Sequence, residues 1–142
     1  MTHTDAGRYS AKHAPGESPD ERIAAEIRQK AVQGELACAE AERVGAAHAV
    51  PLAEIGRTVD LLEIRICRCQ LGLFGYPGGK SIQKVAVDPE LEVAIRGGLA
   101  DGRLPCKAVW EIAAKHQVAR MQVSSTCEAL KIRIKPCQLG AF

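Results

Sequence analysis

The sequence predicts a mainly helical protein built from two tandem copies of one unit, each with three helices followed by a short β-strand. The first observation behind this fold is that residues 20–74 and 88–142 align without a gap at an offset of 68. The match contains 19 identities over 55 positions. The second is that apolar residues recur at helical spacing through most of each copy and alternate only in its Ile-Arg-Ile stretch. A gapless match of this length indicates an internal duplication.

The alignment divides the chain of 142 residues into an N-terminal segment, repeat 1, a linker and repeat 2, at residues 1–19, 20–74, 75–87 and 88–142. The N-terminal segment is rich in Ser, Thr, Pro, Gly and His, which predicts disorder. In the linker, Pro77-Gly78-Gly79 is a turn signal followed by an alternating stretch. We therefore expect the linker and residues 64–74 to form a β-hairpin.

The first helix of each repeat is expected to begin after an aspartate. Asp20 and Asp88 are suitable N-caps, and Pro89 occupies the first helical position in repeat 2. Gly34 and Gly102 stand at equivalent positions after this helix, where a C-terminal cap is expected.

The second helix is predicted over residues 38–48 and 106–116, and a short break separates it from the third. The third helix has one apolar stripe in each repeat, formed by Ile55, Val59 and Leu62 or by Val123, Cys127 and Leu130. The Ile-Arg-Ile that follows predicts a strand, because its apolar residues alternate.

The second helix, the break and the third helix have the proportions of a helix-turn-helix. This motif needs a small residue in its first helix and apolar residues after the turn and inside its second helix, as at Ala113, Val118 and Val123. The segment from Trp110 to Val123 resembles bacterial helix-turn-helix regulators, and each repeat with its strand is similar to a winged-helix module. The usual glycine at the turn is replaced by Ala49 or Gln117, so the turn departs from the pattern.

A helix-turn-helix that binds DNA places the outward face of its second helix in the major groove. This face in repeat 2 carries polar and basic side chains, whereas that of repeat 1 is mainly acidic. We expect bases or phosphates to be contacted by Arg120, Gln122, Ser124, Ser125 and Lys131. Further phosphate contacts are expected from Lys80, Lys84, Arg133 and Lys135.

Local charge also favours repeat 2 as the part that contacts DNA. The net charge of the whole chain is only +2, so a basic surface has to be local. Repeat 1 carries 7 basic and 9 acidic residues, and repeat 2 carries 8 basic and 6 acidic residues. The sequence therefore predicts a DNA-binding transcriptional regulator whose partner is double-stranded DNA. The two repeats are expected to pack together, and association of whole chains into a homo-oligomer remains open.

Two other interpretations remain open. Helix-turn-helix units also serve as docking modules, so the protein is alternatively a protein-interaction adaptor. Four cysteines recur in the two repeats and are candidates for a metal site; they are Cys38, Cys69, Cys106 and Cys137. No Cys-x-x-Cys spacing occurs, so we favour small buried residues over metal ligands and expect no cofactor.

Several classes of protein are excluded or disfavoured. No phosphate-binding glycine loop, paired-histidine motif or Gly-x-Ser-x-Gly occurs, so we expect no catalytic residues and no enzyme. Aromatic residues are 4% of the chain, which disfavours a stacking platform for single-stranded nucleic acid. No apolar run approaches the roughly 20 residues of a membrane span, and the N-terminus has no signal-peptide core, so a cytoplasmic location without a membrane partner is expected.

Overall fold

The computed structural model describes residues 8–83 and 85–142 and divides the chain into two units. Unit 1 contains the residues up to Cys69 together with Gln138–Phe142, and unit 2 contains Gln70–Cys137. Both units are mainly helical, which confirms the predicted fold class at this level.

Unit 1 has three helices and a small parallel sheet. In chain order its elements are α1 (Glu21–Lys30), β1 (Glu35–Ala37), α2 (Cys38–His48), α3 (Leu52–Leu61) and β2 (Arg65–Cys67). β1 pairs with β2 in parallel, with Leu36 opposite Ile66. The predicted strand after the third helix is therefore present, and its partner is a strand that the sequence pattern did not predict.

Unit 2 repeats this arrangement at the offset of 68 residues. Its helices are α4 (Pro89–Gly97), α5 (Cys106–His116) and α6 (Arg120–Ala129). The strand pair is reduced to one parallel bridge between Leu104 and Ile134, the residues equivalent to Leu36 and Ile66.

The predicted N-caps are confirmed. The Asp20 side chain accepts hydrogen bonds from Arg22 N and Ile23 N, and the Asp88 side chain accepts one from Glu90 N. The predicted C-caps at Gly34 and Gly102 are wrong, because the helices end earlier, at Lys30 and Gly97.

Gly34 and Gly102 instead belong to two-residue turns. Val32 and Glu35 exchange backbone hydrogen bonds across Gln33 and Gly34, both of which have positive φ. Asp101 and Gly102 have the same geometry in unit 2. Two consecutive positive φ values are typical of a type I′ turn, for which a polar residue followed by glycine is the preferred pair.

The break between the second and third helices has the same left-handed geometry in both units, although glycine is absent. Ala49 has φ 52° and Gln117 has φ 55°. Each follows the last residue of its helix and donates a backbone hydrogen bond back into it. A residue with a Cβ in this region costs roughly 1–2 kcal/mol, which the packing on either side has to offset.

Each unit has its own apolar core. Ile27, Leu36, Ile55 and Ile66 are fully buried in unit 1, and Leu91, Ile95, Leu104 and Val123 are fully buried in unit 2. Burying one such side chain stabilises a fold by about 1.5–3 kcal/mol. These residues come from the first and third helices and from the strand region of their unit, and the second helices add the fully buried Val44 and Val109.

The N-terminal segment differs from the disordered segment that its composition predicts, as far as it is described. Tyr9–Lys12 forms a 3₁₀ helix that packs on α3, with Tyr9 buried. The backbone N–H groups of Tyr9 and Ser10 donate to the Glu63 carboxylate at 2.9 and 2.8 Å. Specific hydrogen bonds and one aromatic anchor thus order a stretch of low hydrophobicity. Residues 1–7 lie outside the described residues.

The predicted linker hairpin is present only as its turn. Tyr76 and Gly79 form an antiparallel bridge around Pro77-Gly78, and Ser81 N donates to Gly72 O at 2.7 Å. The described residues of 80–87 contain no strand. The alternating stretch after the turn therefore has no continuous partner with which to form a ladder.

The units do not coincide with the sequence repeats. Residues 70–74, which end repeat 1, belong to unit 2, and residues 138–142, which end repeat 2, belong to unit 1. The expected domains at 20–74 and 88–142 therefore exchange their last five residues. A repeat alignment cannot reveal this exchange, because both copies are exchanged in the same way.

Candidate nucleic-acid interface

The middle of α6 is buried in unit 2. All five residues from Val123 to Cys127 are buried. The solvent-exposed fractions of Ser124 and Ser125 are only 1% and 5%. The prediction that these two serines contact DNA is therefore wrong for this conformation. Because this turn of α6 is buried on every side, its residues cannot enter the major groove.

The cover over α6 is the end of repeat 1 and the linker that follows. Ser124 Oγ donates to the carbonyl oxygen of Leu71 at 2.7 Å. The linker leaves an open cleft of about 460 Å³ against this helix, lined by Ser81, Gln83, Val85, Met121, Gln122 and Ser125. Among the predicted contacts on α6, Gln122 keeps an exposed side chain.

Arg120 is held inside unit 2. Its guanidinium lies 3.7 Å from the centre of the Trp110 ring and donates to Gln70 Oε1 at 3.0 Å. The cation–π contact and the hydrogen bond fix the side chain at the start of α6. Arg120 therefore anchors residue 70 to this helix, a contact that the helical pattern of repeat 2 does not indicate.

Four exposed cations lie together beyond the end of α6. Arg133 and Lys135 lie on the exposed side of the extended segment that pairs with Leu104, and Arg103 lies opposite Arg133 in this parallel register. Lys131, with φ 57°, precedes the segment and is also exposed. None of these four side chains forms an ion pair with a described residue. We call Arg103, Lys131, Arg133 and Lys135 the basic edge.

The sequence analysis selected three residues of the basic edge and missed Arg103. The missing information is the parallel pairing that places residue 103 beside residue 133. The duplication offers a signal for it, because Glu35 and Arg65 occupy the equivalent positions and have opposite charges that suit a facing pair.

Unit 1 has a different surface at the same four positions. They are occupied by Glu35, Glu63, Arg65 and Cys67. Glu35 and Arg65 face each other across β1 and β2. Burial, followed by the nearby Glu35 carboxylate, raises the pKa of the Cys67 thiol, which favours its neutral form. This surface therefore carries two acidic residues and one basic residue, whereas the basic edge carries four basic residues and no acidic one.

The charge of the whole units follows the same division. Residues 70–137 contain 10 Lys and Arg against 6 Asp and Glu, which gives unit 2 a net charge of +4. Unit 1 contains 9 basic and 11 acidic residues and has a net charge of −2. The exchange of the five-residue segments moves no charge, so the linker adds its two lysines to the basic unit.

The linker contains two of the lysines that were predicted to contact phosphates, Lys80 and Lys84. Lys80 is exposed and its Nζ lies 3.4 Å from Glu128 Oε1, at the end of α6. An exposed pair of this kind contributes little to stability, and a phosphate competes readily for the lysine. Lys84 lies outside the described residues.

The outward face of α3 in unit 1 is covered by the N-terminal segment. Asp60 Oδ2 forms an ion pair with Lys12 Nζ at 3.2 Å and lies 2.9 Å from His13 Nε2. Asp60 is 2% exposed, although it belongs to the face that a helix-turn-helix presents to DNA. The acidic face that disfavoured repeat 1 as a DNA contact is thus used inside the unit.

The repeated cysteines are mostly buried. Cys38, Cys69 and Cys106 keep 8%, 5% and 6% of their exposed surface, and Cys137 is half-buried. Cys106 N donates to Pro136 O at 3.0 Å, which places the start of α5 beside the residue that precedes Cys137. Within the described part of the chain, no group of three or more Cys, His, Asp and Glu residues is placed to hold a metal ion.

Comparisons of the chain with models of protein families, with curated proteins and with solved structures found no match. Among residues 8–83 and 85–142, no helix has both the length and the apolar composition needed to cross a bilayer.

Proposed function

We propose that this protein is a DNA-binding regulator that holds duplex DNA through phosphate contacts of unit 2. The observation that carries the proposal is the basic edge: four exposed cations on adjoining backbone segments, with no acidic partner among the described residues. Phosphate contacts of lysine and arginine supply most of the affinity of proteins for DNA that does not depend on sequence.

The basic edge is not explained by the needs of the fold. Like charges held beside each other on paired backbone segments are destabilising, and Arg103 and Arg133 directly precede the two residues of the parallel bridge, Leu104 and Ile134. Unit 1 builds the same strand pairing with the favourable pair Glu35 and Arg65. An anionic ligand removes the repulsion in unit 2 by neutralising both guanidinium groups.

The covered α6 limits how bases are recognised in this conformation. Ser124 and Ser125 are unavailable, and Gln122 is the exposed candidate for a contact with a base edge. Glutamine makes paired hydrogen bonds with adenine in the major groove. We therefore expect binding that is dominated by phosphates, with a weak preference among sequences.

The test is to measure binding of a short fluorescein-labelled duplex by fluorescence anisotropy at several salt concentrations. Combining Lys131→Ala, Arg133→Ala and Lys135→Ala should weaken binding about 10- to 100-fold and lower the salt slope by about two to three units, because each lost phosphate contact removes close to one. The side chains changed are exposed, so the far-UV circular dichroism should be unchanged.

The control is Arg96→Ala with Lys115→Ala, which removes two exposed positive charges, one on α4 and one near the end of α5. This variant should bind within about threefold of the parent protein, because only the long-range field changes. Equal losses of DNA affinity in the two variants would show that only the net charge of unit 2 matters, and not the position of the charges. An absence of duplex binding by the parent protein at low salt contradicts the proposal.

A further inference from the structure

The repeated Gln-Leu-Gly segment occupies the same position in both units. In unit 2, the carbonyl oxygen of Leu71 accepts a hydrogen bond from Ser124 on α6. In unit 1, the carbonyl oxygen of Leu139 lies over the equivalent residue of α3, Gly56, where an added Cβ would be only 2.0 Å from it. The same carbonyl thus meets the same helical position, through a hydroxyl in one unit and through the absence of a side chain in the other.

Segment 138–142 is well seated in unit 1. Leu139 and Ala141 retain 4% and 1% of their exposed surface, and Lys12 Nζ donates to the Gly140 carbonyl at 3.1 Å. Gly140 has φ 75°, as has its equivalent Gly72 in unit 2. The docking site on α3 therefore accepts a defined backbone shape together with a buried leucine, and we call it the α3 groove.

The connection that brings this segment to the α3 groove is short. The Pro136 carbonyl accepts from Cys106 N in unit 2, and Leu139 is already seated in unit 1. Only Cys137 and Gln138 separate these two positions. Segment 70–74 is different, because the chain continues from it within unit 2 through the bond from Ser81 N to Gly72 O.

We propose that the α3 groove also binds segment 138–142 of a second copy of this chain, so that two copies form a dimer by exchanging this segment. A second copy supplies every contact that the segment makes, so exchange leaves the docking interactions unchanged. The chain carries both the groove and the segment, and mutual exchange closes the assembly at two copies. Cys137 and Gln138 form the hinge at which the segment leaves its own chain.

The test is to mix two variants, each of which lacks one half of the interaction. Gly56→Ala blocks the α3 groove but retains the segment, and alanine suits the interior of a helix better than glycine. Leu139→Asp disables the segment but retains the groove. Each variant alone should be monomeric by size-exclusion chromatography with light scattering, and the 1:1 mixture should give a heterodimer; reducing agent excludes disulfide dimers.

The parent protein should also dimerise, but at a higher concentration. Docking within one molecule competes at an effective concentration in the millimolar range for short connections. The mixture avoids this competition, so it should dimerise at a protein concentration at least about tenfold lower than the parent protein does.

Two controls match these variants. Pairing Leu139→Asp with a double variant that carries Gly56→Ala and Leu139→Asp should give monomers, because no intact segment is left. Gly97→Ala changes a helical glycine with no atom within 4 Å of the added carbon and should behave as the parent protein. The proposal is overturned if both single variants have native circular dichroism and their mixture contains only monomers.

If a variant fails to fold, the parent chain provides the decisive measurement. Parent protein and a copy carrying a cleavable mass tag are incubated together at high concentration, and species containing both are separated by size. Mixed dimers of the parent chain that disappear when a free peptide of residues 138–142 is added in excess support exchange, because the peptide occupies the α3 groove. Failure to form any mixed dimer overturns the proposal, whether or not the protein binds DNA.

Discussion

Unit 1 and unit 2 have the same order of helices and net charges of opposite sign. Leu36 pairs in parallel with Ile66 in unit 1, and the equivalent Leu104 pairs in parallel with Ile134 in unit 2. Around this contact, unit 1 carries a balanced pair of charges and unit 2 carries the basic edge. The comparison teaches that the two units share the residues of this contact, while the exposed positions around it differ in charge.

The units also differ in how their third helices are covered. In unit 1, the N-terminal segment lies on α3 and is held by the buried Asp60. In unit 2, the linker lies along α6, and the equivalent residue, Glu128, is exposed; its carboxylate pairs only with Lys80 among the described residues. Equivalent acidic residues therefore have different energetic roles, although their chemistry is nearly the same.

The largest expected effect comes from giving unit 2 the acidic residues of unit 1. Arg103→Glu and Lys131→Glu together lower the charge of unit 2 from +4 to 0 and place two carboxylates beside Arg133 and Lys135. DNA affinity should fall by more than about 100-fold at moderate salt, measured by fluorescence anisotropy, because repulsion replaces two phosphate contacts.

The control for this charge reversal is Arg96→Glu with Lys115→Glu, which gives unit 2 the same net charge. It should retain most of the binding at moderate salt, where charges more than about 10 Å from the DNA are screened. A loss as large as that of the edge variant would show that the position of the charges is irrelevant.

A smaller effect, on stability, should separate Asp60 from Glu128. Asp60→Asn removes the charge that binds Lys12 and His13 and should lower the free energy of unfolding by about 1–3 kcal/mol, since the polar group remains buried. Glu128→Gln should change it by less than about 0.5 kcal/mol, because the ion pair with Lys80 is exposed. Urea unfolding followed by circular dichroism measures both, and equal effects would contradict the difference between the two covers.

The smallest effect concerns pH and the N-terminal segment. Burial raises the pKa of Glu63, but hydrogen bonds from Ser10 and then Tyr9 outweigh it, so the pKa lies below its ordinary value of 4.5. A lowered pKa means that the carboxylate stabilises the docked segment above about pH 4.5 and loses this effect as the pH falls through the folded-state value. The protection of the Tyr9 and Ser10 amides against hydrogen exchange, measured relative to their intrinsic exchange rates at each pH, should therefore fall at acidic pH.

Glu63→Gln tests the origin of this acid sensitivity. Glutamine keeps an acceptor oxygen at this position but does not titrate, so the loss of amide protection below pH 4.5 should disappear. If protection is still lost at acidic pH in this variant, another group controls the docking of the segment.

Much of each unit could be predicted from residues that act locally. The aspartate N-caps, the apolar stripe of the third helix and the Ile-Arg-Ile strand all follow from the spacing of residues close in sequence. The prediction failed where distant segments meet. Ser124 has the polarity of an exposed residue, but the Leu71 carbonyl 53 positions away buries it and accepts its hydrogen bond. Arg103 was missed because only pairing with residue 133 makes it part of the basic edge.

The sequence by itself determined the duplication, the order of the helices and the sign of the charge in each half. These properties depend on local propensity, apolar periodicity and composition, which are written along the chain. Only the tertiary structure decided which segment covers each third helix, and therefore which polar residues are exposed. The covering of a helix depends on contacts between distant segments. The Gln-Leu-Gly of the two repeats is identical, so its own sequence does not indicate which third helix it covers. Chain connectivity and packing alone assign residues 70–74 to unit 2 and residues 138–142 to unit 1.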